Sequence, residues 1–430
     1  MSVRTVMWRV AALGTVLCAG AGSAWGASGG LVLTGTSAKD RGMGGAGMAI
    51  ARDAVAAINN PAATVVVGDQ LTIGLTILYQ AADLEVSGAG AGPFPLEPGR
   101  SDNKERFFEV PFASATHRID ERWAVGISAY GLFGLGVAFP GHPRSNCPFG
   151  MPSGPLCGGE STLDTSALFV TPTIAYRLSP ALSVGVSPAL VYSRFKAKGF
   201  TALAPASVDP ANIGDNGIDE AFGYAAKIGI HYEGEDVAIG LTYQTEANME
   251  RYERYGGLLP EGGNFDLPAI LALGIAYDPV ADVTLAADVQ GVFYADVPVL
   301  GNRFVNPLVP GNPMLGSDGG AGFGWKDQWI LHLGAEHRVS ESLALRAGYA
   351  YATKLYGGRD ALLNAMAPAI MRHNVAAGFS QALFDDVTLD VGITYALPLS
   401  QDGFNPLSPD QRISSTHGIV EGAVAINYAW

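Results

Sequence analysis

The chain has 430 residues, 56 of them glycine, and only 15 % are charged, well below the roughly 25 % of a soluble domain. Yet after the first 26 residues no apolar run reaches the ~18 residues of a membrane-spanning helix, which leaves a closed barrel as the way to satisfy every backbone group in lipid. A net charge of −14 argues against a nucleic-acid partner. Residues 1–26 read as a secretory signal: Arg4 and Arg9 open it, Val10 to Ala21 form an apolar core, and Ala24-Trp25-Gly26 gives a small-residue cleavage site. The mature chain is expected to begin at or near Ala27. Cys18 lies inside this signal, and the bulky Leu17 before it does not suit a lipoprotein site. Cys147 and Cys157 share one loop rich in Gly and Pro. In an exported chain such an even pair predicts a disulfide; two reduced loop thiols are the alternative.

Residues 27–68 show no alternation and are rich in Gly and Ala. Met48 to Ile58 suits a short helix, which Asn59-Asn60-Pro61 should stop, because the residue before proline avoids the helical region. A segment of this kind ahead of a closed barrel can fold into the lumen as a plug, the alternative being a flexible periplasmic tail.

From about residue 69 to residue 430, apolar and small or polar residues alternate with period 2. Leu71, Ile73, Leu75, Ile77 and Tyr79 form one such run, and Leu389, Val391, Ile393 and Tyr395 another. Fourteen strands are predicted, near 70–80, 106–117, 122–133, 165–177, 181–195, 220–232, 236–249, 267–278, 282–295, 326–339, 342–355, 371–382, 386–398 and 416–430. Connections after even-numbered strands are tight turns. Those after odd-numbered strands are long, at 81–105, 134–164, 196–219, 250–266, 296–325, 356–370 and 399–415. Strict alternation of tight turn and long loop belongs to an outer-membrane barrel, short turns facing the periplasm. The last strand turns Val420, Val424, Ile426, Tyr428 and Trp430 to one face and Glu421, Ala423, Ala425 and Asn427 to the other. That division suits lipid outside and a polar lumen inside. The fold class is therefore all-β, a 14-stranded antiparallel transmembrane barrel with an N-terminal plug. Outer-membrane lipid and lipopolysaccharide are the expected surroundings, the strand ending at Trp430 the expected handle for the barrel assembly machinery, and a monomer the expected state.

Enzymatic chemistry finds no support. His332 and His337 are five apart in a strand and point to opposite faces, and no G-x-S-x-G elbow, P-loop or HExxH occurs. No metal or cofactor is expected.

These features resemble the FadL-type outer-membrane transporters of long-chain fatty acids and aromatic hydrocarbons. The plug sequence RGMGGAGMAIARDAVAAINNPAA (41–63) is similar to that family's hatch, with Gly44, Gly45, Gly47 and its Asn60-Pro61-Ala62 signature. The runs VGISAYGLFGL (125–135), TPTIAYRLSPALSVGVSPAL (171–190), LPAILALGIAYDP (267–279), WKDQWILHLGAEHRVSESLALRAGYAY (325–351) and RHNVAAGFS (372–380) extend the resemblance over the mature chain. The resemblance implies capture of substrate by extracellular loops, an internal apolar site, and lateral release through a gap at a kinked third strand. Here that strand carries Gly126, Gly131, Leu132, Phe133 and Gly134. Glycine weakens strand pairing, although small lumen-facing packing residues are the alternative. The family often has a proline where this chain has Leu132.

The capture surface is expected from Phe200, Leu203, Leu258, Leu259 and Phe265, apolar residues in otherwise polar loops. Basic residues with inward register, Arg346, Lys326 and Lys227, are candidates for a fatty-acid carboxylate, each of which could instead pair with a lumen carboxylate such as Asp288, Asp390 or Glu421. The expected function is facilitated diffusion of hydrophobic molecules across the outer membrane. The alternatives are a general porin for polar solutes, a surface adhesin or structural barrel, and a membrane-embedded hydrolase.

Overall fold

The computed structural model describes residues 30–92, 94–140, 147 and 152–430; the expected signal segment, Cys18 included, lies outside them. Fourteen long strands form the wall: β1 (Gln70–Ser87), β2 (Phe107–Arg118), β3 (Trp123–Phe139), β4 (Ser161–Ser179), β5 (Leu182–Lys198), β6 (Asp219–Glu233), β7 (Val237–Gln244), β8 (Ile270–Val280), β9 (Val283–Val292), β10 (Gln328–Arg338), β11 (Leu343–Ala352), β12 (His373–Phe384), β13 (Val387–Asn405) and β14 (Ser408–Ala429). Each pairs antiparallel with the next, and β14 closes onto β1. The ring of strands thus closes on itself, as a sheet that spans lipid must. Two short strands, Gly99–Asp102 and Asn248–Met249, pair with β1 and β6 outside this ring.

The alternation read from the sequence sets the two faces of the wall. On β1, Ile73, Leu75, Ile77 and Tyr79 are exposed while Thr72, Thr76 and Gln80 are buried. On β14, Val424 and Ile426 face out while Glu421, Ala423 and Ala425 face in. A continuous apolar band of this kind is a lipid-facing surface. Six connections are short, at 119–122, 180–181, 234–236, 281–282, 339–342 and 385–386, and share the rim with Trp430.

The last outer connection differs from expectation. Residues 399–405 and 408–415 continue β13 and β14, leaving only Pro406 and Leu407 as the turn. Gly403, Pro406 and Pro409 read as loop signals, but the hairpin is held by neighbours far away in sequence. The outer end of β1 pairs along Ile413 to Thr416. The Asn405 side-chain amide donates to the Phe94 carbonyl at 2.9 Å, and Gln411 both accepts from Leu96 N and donates to Leu96 O.

Above mid-barrel the outer loops fold inward into an apolar cap. Phe195, Tyr252, Tyr294, Leu300, Trp325 and Met366 are buried there. Below it, residues 30–68 fill the lumen.

A candidate transport path between plug and wall

The plug contains α1 (Ala38–Gly42), α2 (Ala56–Asn59), a 3-10 turn (Pro61–Ala63) and α3 (Thr64–Val67). Ser37 caps α1 through a reciprocal box with Asp40, satisfying N–H groups that the helix leaves open. The helix expected over Met48 to Ile58 covers only Ala56–Asn59; ahead of it the plug backbone is tied to the wall, where Asp288 Oδ2 accepts the N–H of Gly47 at 2.8 Å and of Met48 at 2.9 Å. The stop falls where Asn60-Pro61 predicts it. Asn60 is extended and fully buried. Its Oδ1 accepts from Ala62 N, and its Nδ2 donates to the Ile230 carbonyl on β6 at 2.9 Å. Ser183 Oγ donates to the Ala62 carbonyl at 2.9 Å.

The hatch glycines sit where the plug meets the wall. Gly44 and Gly45 hold positive φ, which costs glycine nothing; a side chain at Gly44 would strike the β11 backbone at Tyr349 and one at Gly45 the His332 ring. Gly47 packs on Asp40 and Asn59.

The wall answers with glycines of its own. Four pairs stand directly opposite each other across strand pairs: Gly185 and Gly229, Gly240 and Gly274, Gly334 and Gly348, Gly378 and Gly392. A Cβ at Gly240 would collide with the Met48 carbonyl, at Gly348 with Gly44 N, at Gly392 with the Ala38 carbonyl, and at Gly185 with the Pro61 backbone. The plug backbone thus lies against bare wall backbone. This girdle was not singled out from the sequence. Its signal was there, as Gly at inward positions of neighbouring strands.

Buried ion pairs lock the contact. Arg41 pairs with Glu421 on β14, both without solvent exposure. Lys39 lies 3.1 Å from Asp53 and 3.5 Å from Asp390. Burial, then the neighbouring Asp53, push the Asp40 carboxyl above its usual range, against hydrogen bonds from Asn59 and Ser37.

Of the three carboxylate candidates, the structure brings one to an open space. A cavity of about 70 Å³ lies between plug and wall, lined by Leu33 and Ile58 of the plug and by Tyr130, Leu132, Lys227, Asp288 and His332 of the wall. Lys227 Nζ donates to the Ile58 carbonyl at 2.9 Å. Arg346 is instead occupied by Glu336, Nε to Oε2 2.6 Å, under the Gly42 turn. Lys326 is corrected outright: β10 begins at Gln328, and Lys326 is an exposed residue of the outer loop rather than an inward strand residue. His332 is buried and its Nδ1 is 2.8 Å from the Gly44 carbonyl, while His337 faces out.

The expected exposed capture cluster is also corrected. Phe200, Leu203, Leu258, Leu259 and Phe265 are each less than a tenth exposed and belong to the cap's interior. Apolar loop residues this numerous bury one another, which alternation-based reading of polar loops does not foresee. Cys147 and Cys157 are joined as a disulfide, Cα atoms 5.4 Å apart.

The third strand interrupts the wall. β3 pairs with β4 along its length except at Leu132, an extra residue between the Gly131–Leu168 and Phe133–Ala167 pairs. Such a bulge bends the strand that carries it. With β2, β3 pairs only from Ala124 to Tyr130. Beyond that point every β3 residue to Phe139 is buried. Its edge is completed by other groups: Gly134 N donates to the Leu31 carbonyl, Val32 bridges Phe133, Gln80 Nε2 donates to the Gly136 carbonyl at 3.0 Å, and Ala138 N donates to Asn103 Oδ1 at 2.8 Å. Gly131, Leu132, Phe133 and Gly134 therefore sit at the head of an unpaired seam between β2 and β3, beside the cavity that Leu132 helps line; Gly126 lies below it, in the paired part.

A closed barrel with its lumen filled and its wall interrupted at one strand defines a plugged outer-membrane transport protein. Residues 18–405 match the family described as "Outer membrane protein transport protein (OMPP1/FadL/TodX)", and the chain belongs to that family. It is a family of transport proteins, not enzymes, and its members reside in the bacterial outer membrane. Among solved structures, the chain is similar to the toluene transporter TodX of P. putida (17 % identity, TM-score 0.66, covering 92 % of this chain and 99 % of that one). It is also similar to the toluene transporter TbuX of Ralstonia pickettii (18 %, 0.62, 92 % and 99 %) and to a FadL homologue of Pseudomonas aeruginosa (16 %, 0.65, 93 % and 99 %). At these identities the likeness is one of fold. No curated protein sequence matches the chain.

Proposed function

We propose that this protein carries hydrophobic molecules, long-chain fatty acids or monoaromatic hydrocarbons, across the outer membrane by facilitated diffusion and releases them sideways through the β2–β3 seam. The observation that carries this reading is the pairing of a filled lumen with an interrupted wall. The plug rests on wall backbone at the glycine girdle, which argues against an open porin, while β3 leaves β2 above Tyr130.

The substrate passes from the apolar cap, through Phe200, Leu203, Leu258, Leu259 and Phe265, to the cavity at Leu132. Each methylene taken out of water contributes about 0.8 kcal/mol, so an apolar cap draws in such a ligand without ATP. Lys227 is the group placed to meet a carboxylate in that cavity. The resemblance of the FadL-type hatch and the solved toluene transporters supports both substrate classes. Residues 1–26 act as a cleaved signal, residues 27–68 as the hatch, and residues 69–430 as the channel, a monomer in contact with lipid and lipopolysaccharide. The strand ending at Trp430 is the handle for assembly.

Uptake tests the reading. The protein is expressed in a bacterium lacking its own fatty-acid channel, and entry of labelled oleate and labelled toluene is followed beside an Asn60→Ala variant. Entry that falls in the variant supports a hatch-dependent hydrophobic channel. No entry of either compound, from protein shown to be folded in the outer membrane, overturns it.

A further inference from the structure

Most of the periplasmic rim is acidic. Its turns and strand ends carry Glu233, Glu235, Asp236, Asp278, Asp282, Glu341, Asp385 and Asp386. One sector differs. Where β2, β3 and β4 reach the rim, Arg118, Arg122 and Arg177 line a groove of about 720 Å³ together with Asp69, Ile119, Asp120, Glu121 and Leu178.

Among the described residues, none of these three guanidinium groups forms an ion pair with a carboxylate. Arg118 donates to the carbonyls of Val65 and Val66 at 3.4 and 3.3 Å, and Arg177 to that of Val65 at 3.0 Å. Arg122 Nη1 meets only the Tyr176 hydroxyl, at 3.3 Å. The nearby acids are engaged by other groups. Asp120 Oδ1 accepts the N–H of Arg122 and of Trp123, both at 2.7 Å, and Asp69 Oδ1 accepts that of Arg118 at 2.7 Å and lies 3.1 Å from His117 Nδ1. Glu121 is exposed to solvent.

The same sector is apolar on its lipid side. Ile119 and Leu178 are more than half exposed, and Trp123, 41 % exposed, packs on Tyr176 with ring centroids 4.6 Å apart. Exposed Trp and Tyr mark the depth of the lipid headgroups. Cationic forks at headgroup depth beside exposed aliphatic and aromatic side chains match an amphiphile with an anionic head. Guanidinium groups pair with phosphate oxygens two at a time.

We propose that this groove binds an anionic phospholipid of the inner leaflet. Arg122 holds the phosphate, Arg118 and Arg177 add positive potential, and an acyl chain lies along Trp123, Ile119 and Leu178. The proposal rests on the membrane orientation of the barrel and not on the transported substrate. Because Arg118 and Arg177 also hold the last carbonyls of the plug, the lipid would sit where the plug joins the wall.

The test is lipid retention measured by native mass spectrometry on the full-length protein from mixed phosphatidylethanolamine and phosphatidylglycerol membranes. The wild-type protein should retain phosphatidylglycerol in preference to phosphatidylethanolamine. Arg122→Gln should reduce that preference several-fold, and Ile119→Ser with Leu178→Ser should reduce retention of both lipids. Lys104→Gln, on the outer rim, should change neither. Heat-modified gel mobility verifies that each variant is folded, and the exposed turn positions give the test a second arm. Equal retention of the two lipids by the wild type, or a preference that survives both sets of substitutions, overturns the proposal.

Discussion

Two seams of this barrel start at the same rim and end differently. Where β14 meets β1, pairing runs without a break along all 18 residues of β1, from Gln70 opposite Ala429 to Ser87 opposite Arg412. Where β2 meets β3, it stops at Phe112 opposite Tyr130. The first seam has to close a sheet whose ends are far apart in sequence, and it continues beyond the membrane as a hairpin. The second joins strands linked by a short turn, so its lower part forms readily and its upper part is free to part. Unpaired backbone in lipid costs several kcal/mol per group. The open seam bears this by turning β3 inward at Leu132 and handing its N–H and C=O groups to Leu31, Val32, Gln80 and Asn103.

The closed side should break most sharply at its buried charge. Arg41→Ala leaves Glu421 of β14 uncompensated, a cost of about 3–5 kcal/mol. The plug should then become cleavable by added protease within residues 38–67, while the strands stay protected; a plug as resistant as before would mean that the ion pair does not hold it. On the open side, Lys227→Met removes the lysine that lines the cavity beside Leu132. A charged hydrogen bond is worth about 1.5–3 kcal/mol, so oleate uptake should fall about tenfold or more with toluene uptake unchanged. An equal loss for both compounds would instead assign Lys227 to plug support through the Ile58 carbonyl. The smallest effect belongs to the seam's edge. Asn103→Ala leaves the Ala138 N–H without its acceptor, at about 1–3 kcal/mol, and amide exchange at residues 136–139 should quicken while that of β14 does not.

Much of this was legible in the sequence. Period-2 alternation over Leu71 to Tyr79 and Val420 to Trp430 fixes strands and faces, since any one-residue slip would turn Glu421 and Asn427 toward lipid. The tight turns give the topology. Asn60-Pro61 marks where the plug helix stops. What was not legible depends on distant partners. The outer hairpin of β13 and β14 overrides its glycine and prolines because β1 reaches up to pair with it. Arg346 and Lys227 share inward register, yet only the fold decides that Glu336 occupies one and that the other borders a cavity. Phe200 and Leu258 read as exposed because their loops are polar on average, but folding of one loop against another buries them. Leu132 stands where the resembling family often has proline, and the bulge arises there all the same, from an unmatched residue and not from a missing N–H donor.

The central claim is that substrate leaves through the β2–β3 seam, held open by the extra residue at Leu132. The direct measurement is uptake of labelled oleate and toluene by cells carrying a variant that lacks Leu132, in which Phe133 follows Gly131 directly and keeps its pairing with Ala167 without a bulge, and β3 can continue along β2. The account predicts that uptake of both compounds collapses while the barrel remains folded and heat-modifiable in the outer membrane. Undiminished uptake by that folded variant would contradict it and send the substrate past the plug instead.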